Sequence, residues 1–466
     1  MASRHLLVAA SVGILAVCFM LVMLTGCGSR GHALPSFGCP GNSSYGFTLD
    51  GTVTGLVGSG LSFNAEPDPF PGFQTVDSNG PTLLGAVNCN VPWTLTVQSQ
   101  PVNPAQTCVI ANGSGPGGTG YVDNISVSCT TNPPRFAYVV NRGSNNVSAY
   151  SVDAAIGTLT AIGGSPFAVG NDPVAIAVNQ TGSYAYVVNQ TDATISAFLI
   201  DRSTGALNAV KGSPYATAFA PTSVAVNPSS SNVYVTNSGA GTVSVYSITA
   251  GSGALAPVTG SPYAIGGAPT AVVVSTSDSY SVFVADQTAG TVSLYAPPFN
   301  GALAIIPGSP FTVGVGPLSM AADNFDRLFV ADAAANELYG FSGTDTDLPT
   351  ATAGSPYPTG SMPTSVAVDP LDNFVYVANQ GSNNISAFAL SATTGALTPL
   401  AGSPFTAADE PSAVAVDPTG SFLYVANAGA GNVSVFAIDA TTGALSAVIG
   451  SPYAAGTQPS AIAISD

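Results

Sequence analysis

"PTSVAVDPLDNFVYVANQGSNNISAFALSATTGALTPLAGSP", Pro363 to Pro404, decides the fold. Its first three phrases, "PTSVAVDP", "NFVYVANQ" and "NNISAFAL", alternate apolar with polar or small residues. Period-two alternation puts one set of side chains on each face of a sheet. The fourth phrase, "TGALTPLAGSP", opens on Thr394-Gly395, where glycine can take a positive φ and turn the third strand into a fourth. It ends on Gly-Ser-Pro, where Gly and Pro break the ladder and the chain crosses to the next unit. Four strands in about 48 residues make one propeller blade.

The phrase is repeated along the chain. GSP recurs at Gly164, Gly212, Gly260, Gly308, Gly354, Gly402 and Gly450. A YVxN-type strand ends at Asn141, Asn189, Asn237, Asp286, Asp332, Asn379 and Asn427. A Pro-led strand starts at Pro173, Pro221, Pro269, Pro317, Pro363, Pro411 and Pro459. The array therefore begins with one half of a blade and ends with the other. "PSAIAIS", from Pro459, is expected to complete the first blade and remove its open edge. An open solenoid would instead want atypical capping repeats. The expectation is an all-β fold, a seven-bladed β-propeller over residues 135–466 closed by its C-terminal strand. The YVxN asparagines are expected to be structural, tolerating turn geometry and bonding their own backbone.

"YVANQGSNNISAFALSATTGALTPLAGSPF", Tyr376 to Phe405, resembles the YVTN-repeat family and, beyond it, the lactonase-like seven-bladed propellers. The resemblance covers residues 135–466. It implies hydrolysis of a sugar lactone, as in the 6-phosphogluconolactonase-like branch, or a related cyclase activity. Those propellers typically carry Arg-His-like pairs just after the Pro of the inner strand. Here the positions are Val174-Ala175, Thr222-Ser223, Thr270-Ala271, Leu318-Ser319, Thr364-Ser365, Ser412-Ala413 and Ser460-Ala461, none of them basic. The chain has 2 histidines, His5 and His32, both before the propeller. Ester hydrolysis wants a base and a charge or donor for the oxyanion. Without His, only a carboxylate base remains, with Ca²⁺ as the ion that Asp, Glu and Asn oxygens would suit.

The N-terminal part reads differently. Arg4 and the apolar run Leu6 to Leu24 lead into Leu24-Thr25-Gly26-Cys27, which resembles a bacterial lipobox with Cys27 as the lipidated residue. A plain signal peptide or an uncleaved anchor helix is the alternative. Residues 1–27 are thus expected to be a lipoprotein signal. Residues 28–38 form a tether that reaches roughly 35–40 Å when extended. Residues 39–132 carry short alternating runs between Gly, Pro and Asn clusters and are expected to form a small disulfide-bonded β-sandwich. The stretch "QTCVIANGSG…ISVSC" is similar to an Ig-like module of bacterial lipoproteins. "TNPP", Thr131 to Pro134, makes a stiff boundary. Four cysteines in this region outside the cytoplasm read as two disulfides with three connectivities open; the favoured one pairs Cys108 with Cys129, which flank a Gly-rich hairpin, and leaves Cys39 with Cys89. No C-x-x-C pair supports zinc instead.

Charge narrows the function. The formal net charge is −17, and charged residues are only 7% of the chain. Beyond residue 130 the basic side chains are Arg135, Arg142, Arg202, Lys211 and Arg327, too scattered to neutralise a run of phosphates. Nucleic acid is excluded as a partner. The loops leading into the inner strands surround the central channel, a natural concave site. Asp172, Asp409, Glu410 and Gln458 lie on three of these loops, neighbours once the ring closes. They are the candidate ligand-binding residues, with Asp172, Asp409 and Glu410 as candidate metal ligands; the other reading is solvated loop residues. The fifth repeat lacks the Thr-Gly turn and carries Glu337, Asp345 and Asp347. Its "GTDTD" hints at Ca²⁺ without EF-hand spacing. The sequence thus points to a monomeric extracytoplasmic lipoprotein anchored in a bacterial envelope. Gly28 lacks the Asp of an inner-membrane retention signal, so the outer membrane or cell surface is favoured. The propeller is read as a binding or scaffolding module for a protein, carbohydrate or small ligand, with no cofactor required. A lactonase-like hydrolase and a surface structural component are the competing readings.

Overall fold

A computed structural model describes residues 46–57, 60–67, 74–76, 78–88, 91–99, 106–117, 122–131, 135–275, 281–296, 302–343 and 348–465. The expected signal with Cys27, the tether, Cys39, Cys89, Asp345 and Asp347 lie outside them. The chain divides into two compact units, Met1–Asn132 and Pro133–Asp466. Among the described residues no helix is long and apolar enough to cross a membrane.

The first unit holds two 4-stranded sheets. In one, the strands run in the order Gly80–Asn88, Gly46–Thr54, Val122–Thr131, Gln106–Ala111; in the other, Gln74–Val76, Leu61–Glu66, Trp93–Ser99, Ser114–Gly115. Alternating residues from both sheets, among them Leu49, Val53, Phe63, Leu84 and Trp93, share one core. Cys108 and Cys129 face each other in register on neighbouring strands and form the expected disulfide. It staples one sheet and does not bridge the two.

The second unit is a ring of seven sheets. In blade 2 the inner strand is Pro173–Val178, followed outward by Tyr184–Asn189, Thr194–Ile200 and Leu207–Ala209. Blades 3 to 7 repeat this order from Pro221, Pro269, Pro317, Pro363 and Pro411. Blade 1 takes its inner strand, Pro459–Ile464, from the far end of the chain, paired antiparallel to Arg135–Asn141. The closing expected from the sequence is present. Arg135 adds an ion pair with Asp417 of blade 7 at 3.2 Å, and Ser465 accepts the Phe136 N–H on its Oγ at 3.0 Å.

The propeller core lies between blades. Seven apolar clusters each join one blade to the next, and the cluster uniting Ala137 and Val139 with Tyr424 and Val435 seals blade 7 to blade 1. Fully buried tyrosines tie these layers across the seams. Tyr138, Tyr186, Tyr376 and Tyr424 donate their hydroxyls to the carbonyls of Gly205, Gly253, Gly443 and Gly157 in the next blade, at 2.9, 3.0, 2.9 and 3.3 Å. In blade 5, Phe329 stands where that tyrosine would be. Arg327, paired with buried Asp323, reaches the next blade's turn instead, donating to the Ser391 carbonyl at 2.8 Å.

Two sequence expectations need correction. GSP does more than hand the chain on. After its proline the chain adds a two-residue strand, such as Phe167–Ala168, to the same blade's third strand before leaving. The fourth strand covers one half of the third and this short strand the other half, leaving one N–H between them. The GSP serine takes it: Ser165, Ser213, Ser261, Ser309, Ser355, Ser403 and Ser451 accept that N–H at 2.7–3.1 Å. A buried donor left unpaired costs about 1–3 kcal/mol, which explains why serine is written seven times. The YVxN asparagines are structural, as expected, but they end strands and do not form turns; Asn237 and Asn427 do bond nearby backbone, the Val235 and Val425 carbonyls at 3.3 and 3.2 Å. Asn141 is extended, with φ −109°, and fully buried; its Nδ2 donates across the hairpin to Asn146 Oδ1 at 2.8 Å and Ser148 Oγ at 2.9 Å.

The turns between inner and second strands pose one titration question. Asn179 accepts the N–H groups of Ser183 and Tyr184, both at 2.8 Å. In blade 6 buried Asp369 accepts those of Asn373 and Phe374, both at 2.6 Å. Burial pushes the Asp369 carboxyl above its ordinary value of 3.8, and the N–H donors only partly oppose it. Since folding raises this pKa, the carboxyl favours the folded state most below 3.8 and loses that contribution as pH rises through the folded value. Asp369→Asn keeps the acceptor and removes the charge. We expect it to gain about 1 kcal/mol over wild type at pH 7 and little or nothing at pH 3.5, by urea melts at both pH values. Lower stability at pH 7 would show that the N–H donors outweigh burial.

Candidate functional site

Each inner strand begins with proline and then slips register by one residue, between Pro173 and Ala175 in blade 2 and at the same place in the other six. Such a bulge leaves one residue unpaired and re-aims its side chain. The seven bulged residues are Val174, Thr222, Thr270, Leu318, Thr364, Ser412 and Ser460, and all of them line one cavity of about 420 Å³ at the channel mouth.

Five of these carry hydroxyls, and each donates to the proline carbonyl of the next blade. Thr222 reaches Pro269 at 2.9 Å, Thr270 reaches Pro317 at 2.9 Å, and Thr364 reaches Pro411 at 3.1 Å. Ser412 reaches Pro459 at 2.6 Å, and Ser460 reaches Pro173 at 3.1 Å, which joins the two ends of the array. Val174 and Leu318 interrupt the ring. The positions at which the family resemblance placed basic pairs thus hold blade to blade.

The residue before each proline is also fixed. Asp172, Ala220, Met362, Glu410 and Gln458 all have φ between 51° and 57°. A left-handed conformation costs a non-glycine residue about 1–2 kcal/mol. It is held because all seven pre-proline carbonyls accept the N–H of the residue after the second strand, at 2.8–3.1 Å. The pairs include Gln190 with Asp172, Ala428 with Glu410 and Arg142 with Gln458.

The three candidate loops are neighbours, since Pro459–Ile464 packs between Pro411–Val416 and Pro173–Val178. Their side chains have different fates. Glu410 and Gln458 line the mouth. Asp172 instead pairs with Arg142, whose Nε meets its Oδ1 and whose Nη2 lies 3.1 Å from its Oδ2. The Asp172 hydrogen bond holds the Arg142 guanidinium above its usual value. Asp409 accepts Asn383 Nδ2 at 3.0 Å and is not among the lining residues. Asp172, Asp409 and Glu410 are therefore not gathered into one ligand set. Among the described residues no group of three or more His, Cys, Asp or Glu could hold a metal ion. Glu337 accepts the Tyr339 hydroxyl at 2.9 Å; burial first, and this bond second, push that phenol up to about 12.

Sequence reasoning missed Arg142, Gln190 and Gln380, which complete the mouth. Each directly follows the YVxN asparagine, where the loop tie turns it toward the channel. A signal exists in the alignment of repeats: long polar side chains stand at that one position in blades 1, 2, 4 and 6, although Gln287 of blade 4 is not among the lining residues. A second, shallower groove of about 450 Å³ runs over the seam of blades 7 and 1, sharing Ala428 and Gln458 with the mouth.

The profile of the family described as "Lactonase, 7-bladed beta-propeller" matches residues 124–220 and 328–463, half of the chain. The chain belongs to the lactonase family of seven-bladed β-propellers. No curated protein sequence is similar to it. Solved structures of this lactonase-type fold agree in architecture. The periplasmic gluconolactonase of Pseudomonas aeruginosa superposes with a TM-score of 0.62 at 19% identity, over 72% of this chain and 99% of its own. A Bacteroides fragilis protein provisionally described as a 6-phosphogluconolactonase gives 0.61 at 18%, over 72% and 99%. A Lactobacillus plantarum protein gives 0.60 at 22%, over 72% and 100%. At these identities the likeness is one of fold. In this lactonase-family chain the innermost ring of the mouth is made of hydroxyls spent on neighbouring carbonyls.

Proposed function

We propose that this lactonase-family propeller is a binding module that holds a small, hydroxyl-rich ligand at its channel mouth. The observation that carries this is the lining: Gln190, Gln380 and Gln458 amides, Arg142 and Glu410 above a hydroxyl ring. Amides and hydroxyls both donate and accept, which suits the alternating donors and acceptors of a saccharide. A volume near 420 Å³ is in the range of small-ligand sites. The propeller has no histidine, and the mouth serines give their protons to carbonyls, so no nucleophile–base pair is available there. The protein is further proposed to be a monomeric lipoprotein anchored through Cys27 in the bacterial envelope, facing outward. The Cys108–Cys129 disulfide supports an oxidising compartment.

The test is a thermal-shift and calorimetric screen of neutral mono- and oligosaccharides. A ligand at 100 times its Kd adds about 2.7 kcal/mol of stability. Gln458→Ala and Gln380→Ala are expected to weaken binding about 5- to 30-fold each while leaving the unliganded melt within a degree or two. Binding unchanged in both variants would move the site elsewhere.

Family membership favours a second reading, lactone hydrolysis with Glu410 as the base for water. Turnover of gluconolactone above its spontaneous rate, lost in Glu410→Gln, would replace the binding reading with this one.

A further inference from the structure

We infer that the mouth selects saccharides without phosphate or carboxylate and turns their anionic counterparts away. This rests on the mouth being the ligand site. The ground is the charge and hydrogen-bond balance of the lining, residue by residue.

Arg142 is the only basic residue among those lining the mouth, and two of its three guanidinium nitrogens are engaged. Its Nε and Nη2 address Asp172, and Nη2 also lies 3.3 Å from Gln190 Oε1. The other propeller cations are elsewhere. Arg135 pairs with Asp417 in the seam of blades 7 and 1, and Arg327 is buried against Asp323. Arg202 and Lys211 flank the outer strand Leu207–Ala209 of blade 2. Glu410, by contrast, lines the mouth, and among the described residues no ion pair neutralises it. With Arg142 cancelled by Asp172, the lining keeps one negative charge.

The Glu410 carboxylate can only accept, so it suits a sugar hydroxyl, which donates, and opposes a phosphate or carboxylate oxygen, which does not. A ligand dianion roughly 8 Å from Glu410 meets a repulsion that amounts to about tenfold in affinity at low salt.

The experiment uses the full-length protein in detergent and two matched pairs: glucose with glucose 6-phosphate, and gluconolactone with 6-phosphogluconolactone. Affinities are measured by calorimetry at low salt and at 0.5 M salt, on wild type and Glu410→Gln. The expected result is at least tenfold weaker binding of the phosphorylated member, narrowing to about threefold in Glu410→Gln and at high salt. Equal or tighter binding of the phosphorylated member would overturn the charge selection and leave the saccharide site standing. Discrimination that ignores both salt and Glu410→Gln would assign it to shape and overturn the electrostatic mechanism. Binding of none of the four would overturn the saccharide reading, and the selection with it.

Discussion

Truncation after Gln458 is expected to leave no folded propeller. The missing strand, Pro459–Ile464, supplies the whole inner ladder of blade 1. Without it the fully buried Ala137, Tyr138, Val139 and Val140 lie on an open edge strand, a ready template for pairing with another chain. Two links of the hydroxyl ring, Ser412 to Pro459 and Ser460 to Pro173, vanish together with the tie from Ser465 to Phe136. Six ladder residues and three further hydrogen bonds amount to several kcal/mol, comparable with the roughly 5–15 kcal/mol that keeps an ordinary domain folded. The truncated chain should elute as aggregate and show no cooperative melt, and a peptide of residues 459–466 supplied in trans should recover part of it. A cooperative melt at the wild-type midpoint would mean that blades 1 and 7 hold without the strand.

The second large effect comes from a single turn in blade 3 that contains its own control. Gly251 and Gly253 both have positive φ, 80° and 71°. A Cβ on Gly251 would meet nothing within 4 Å, whereas one on Gly253 would sit 2.6 Å from a Tyr184 ring carbon of blade 2. The Gly253 carbonyl is also the acceptor of the Tyr186 hydroxyl, so the turn cannot simply move away. Gly251→Ala should cost about 1 kcal/mol, the conformational term alone. Gly253→Ala should cost about 3 kcal/mol, because overpacking adds roughly 1–3 kcal/mol to it. Chemical melts of the two variants separate the terms. Equal costs would show that the blade seam can open to admit a methyl. The same close approach recurs at Gly157, Gly205 and Gly443, beneath Phe422, Phe136 and Phe374.

These glycines also show how far the sequence can be read. Period-two alternation and the complementary ends of the array carry the blade count and the closing strand, because burial on alternate faces writes itself into residue order. The Cys108–Cys129 pair is legible for a related reason: a short hairpin leaves few partners. The bulge after each inner-strand proline is not. A one-residue slip moves a side chain from the sheet to the channel, yet "PTSVAVDP" alternates as smoothly as an unbroken strand. In the sequence Thr222, Thr364 and Ser412 therefore stand out only for not being basic, while their bonds run to carbonyls 47 residues away. Arg142 is hidden for another reason, because along the chain its charge is isolated. In space it meets Asp172, Gln190 and, through its N–H, the Gln458 carbonyl.

The geometry of the closing strand has a mechanical meaning. Pro459–Ile464 runs antiparallel to Arg135–Asn141, with Ile464 opposite Ala137, so the propeller's two termini emerge side by side at the same end of blade 1. A tension applied between them would load the ladder one bond at a time, like a zipper pulled from its open end, and would meet little resistance. The same tension applied between one terminus and a ligand in the mouth would be spread round the ring through every seam. Were the N-terminal side to carry the proposed anchor, a pull from the mouth would be shared by the seams and would spare that ladder.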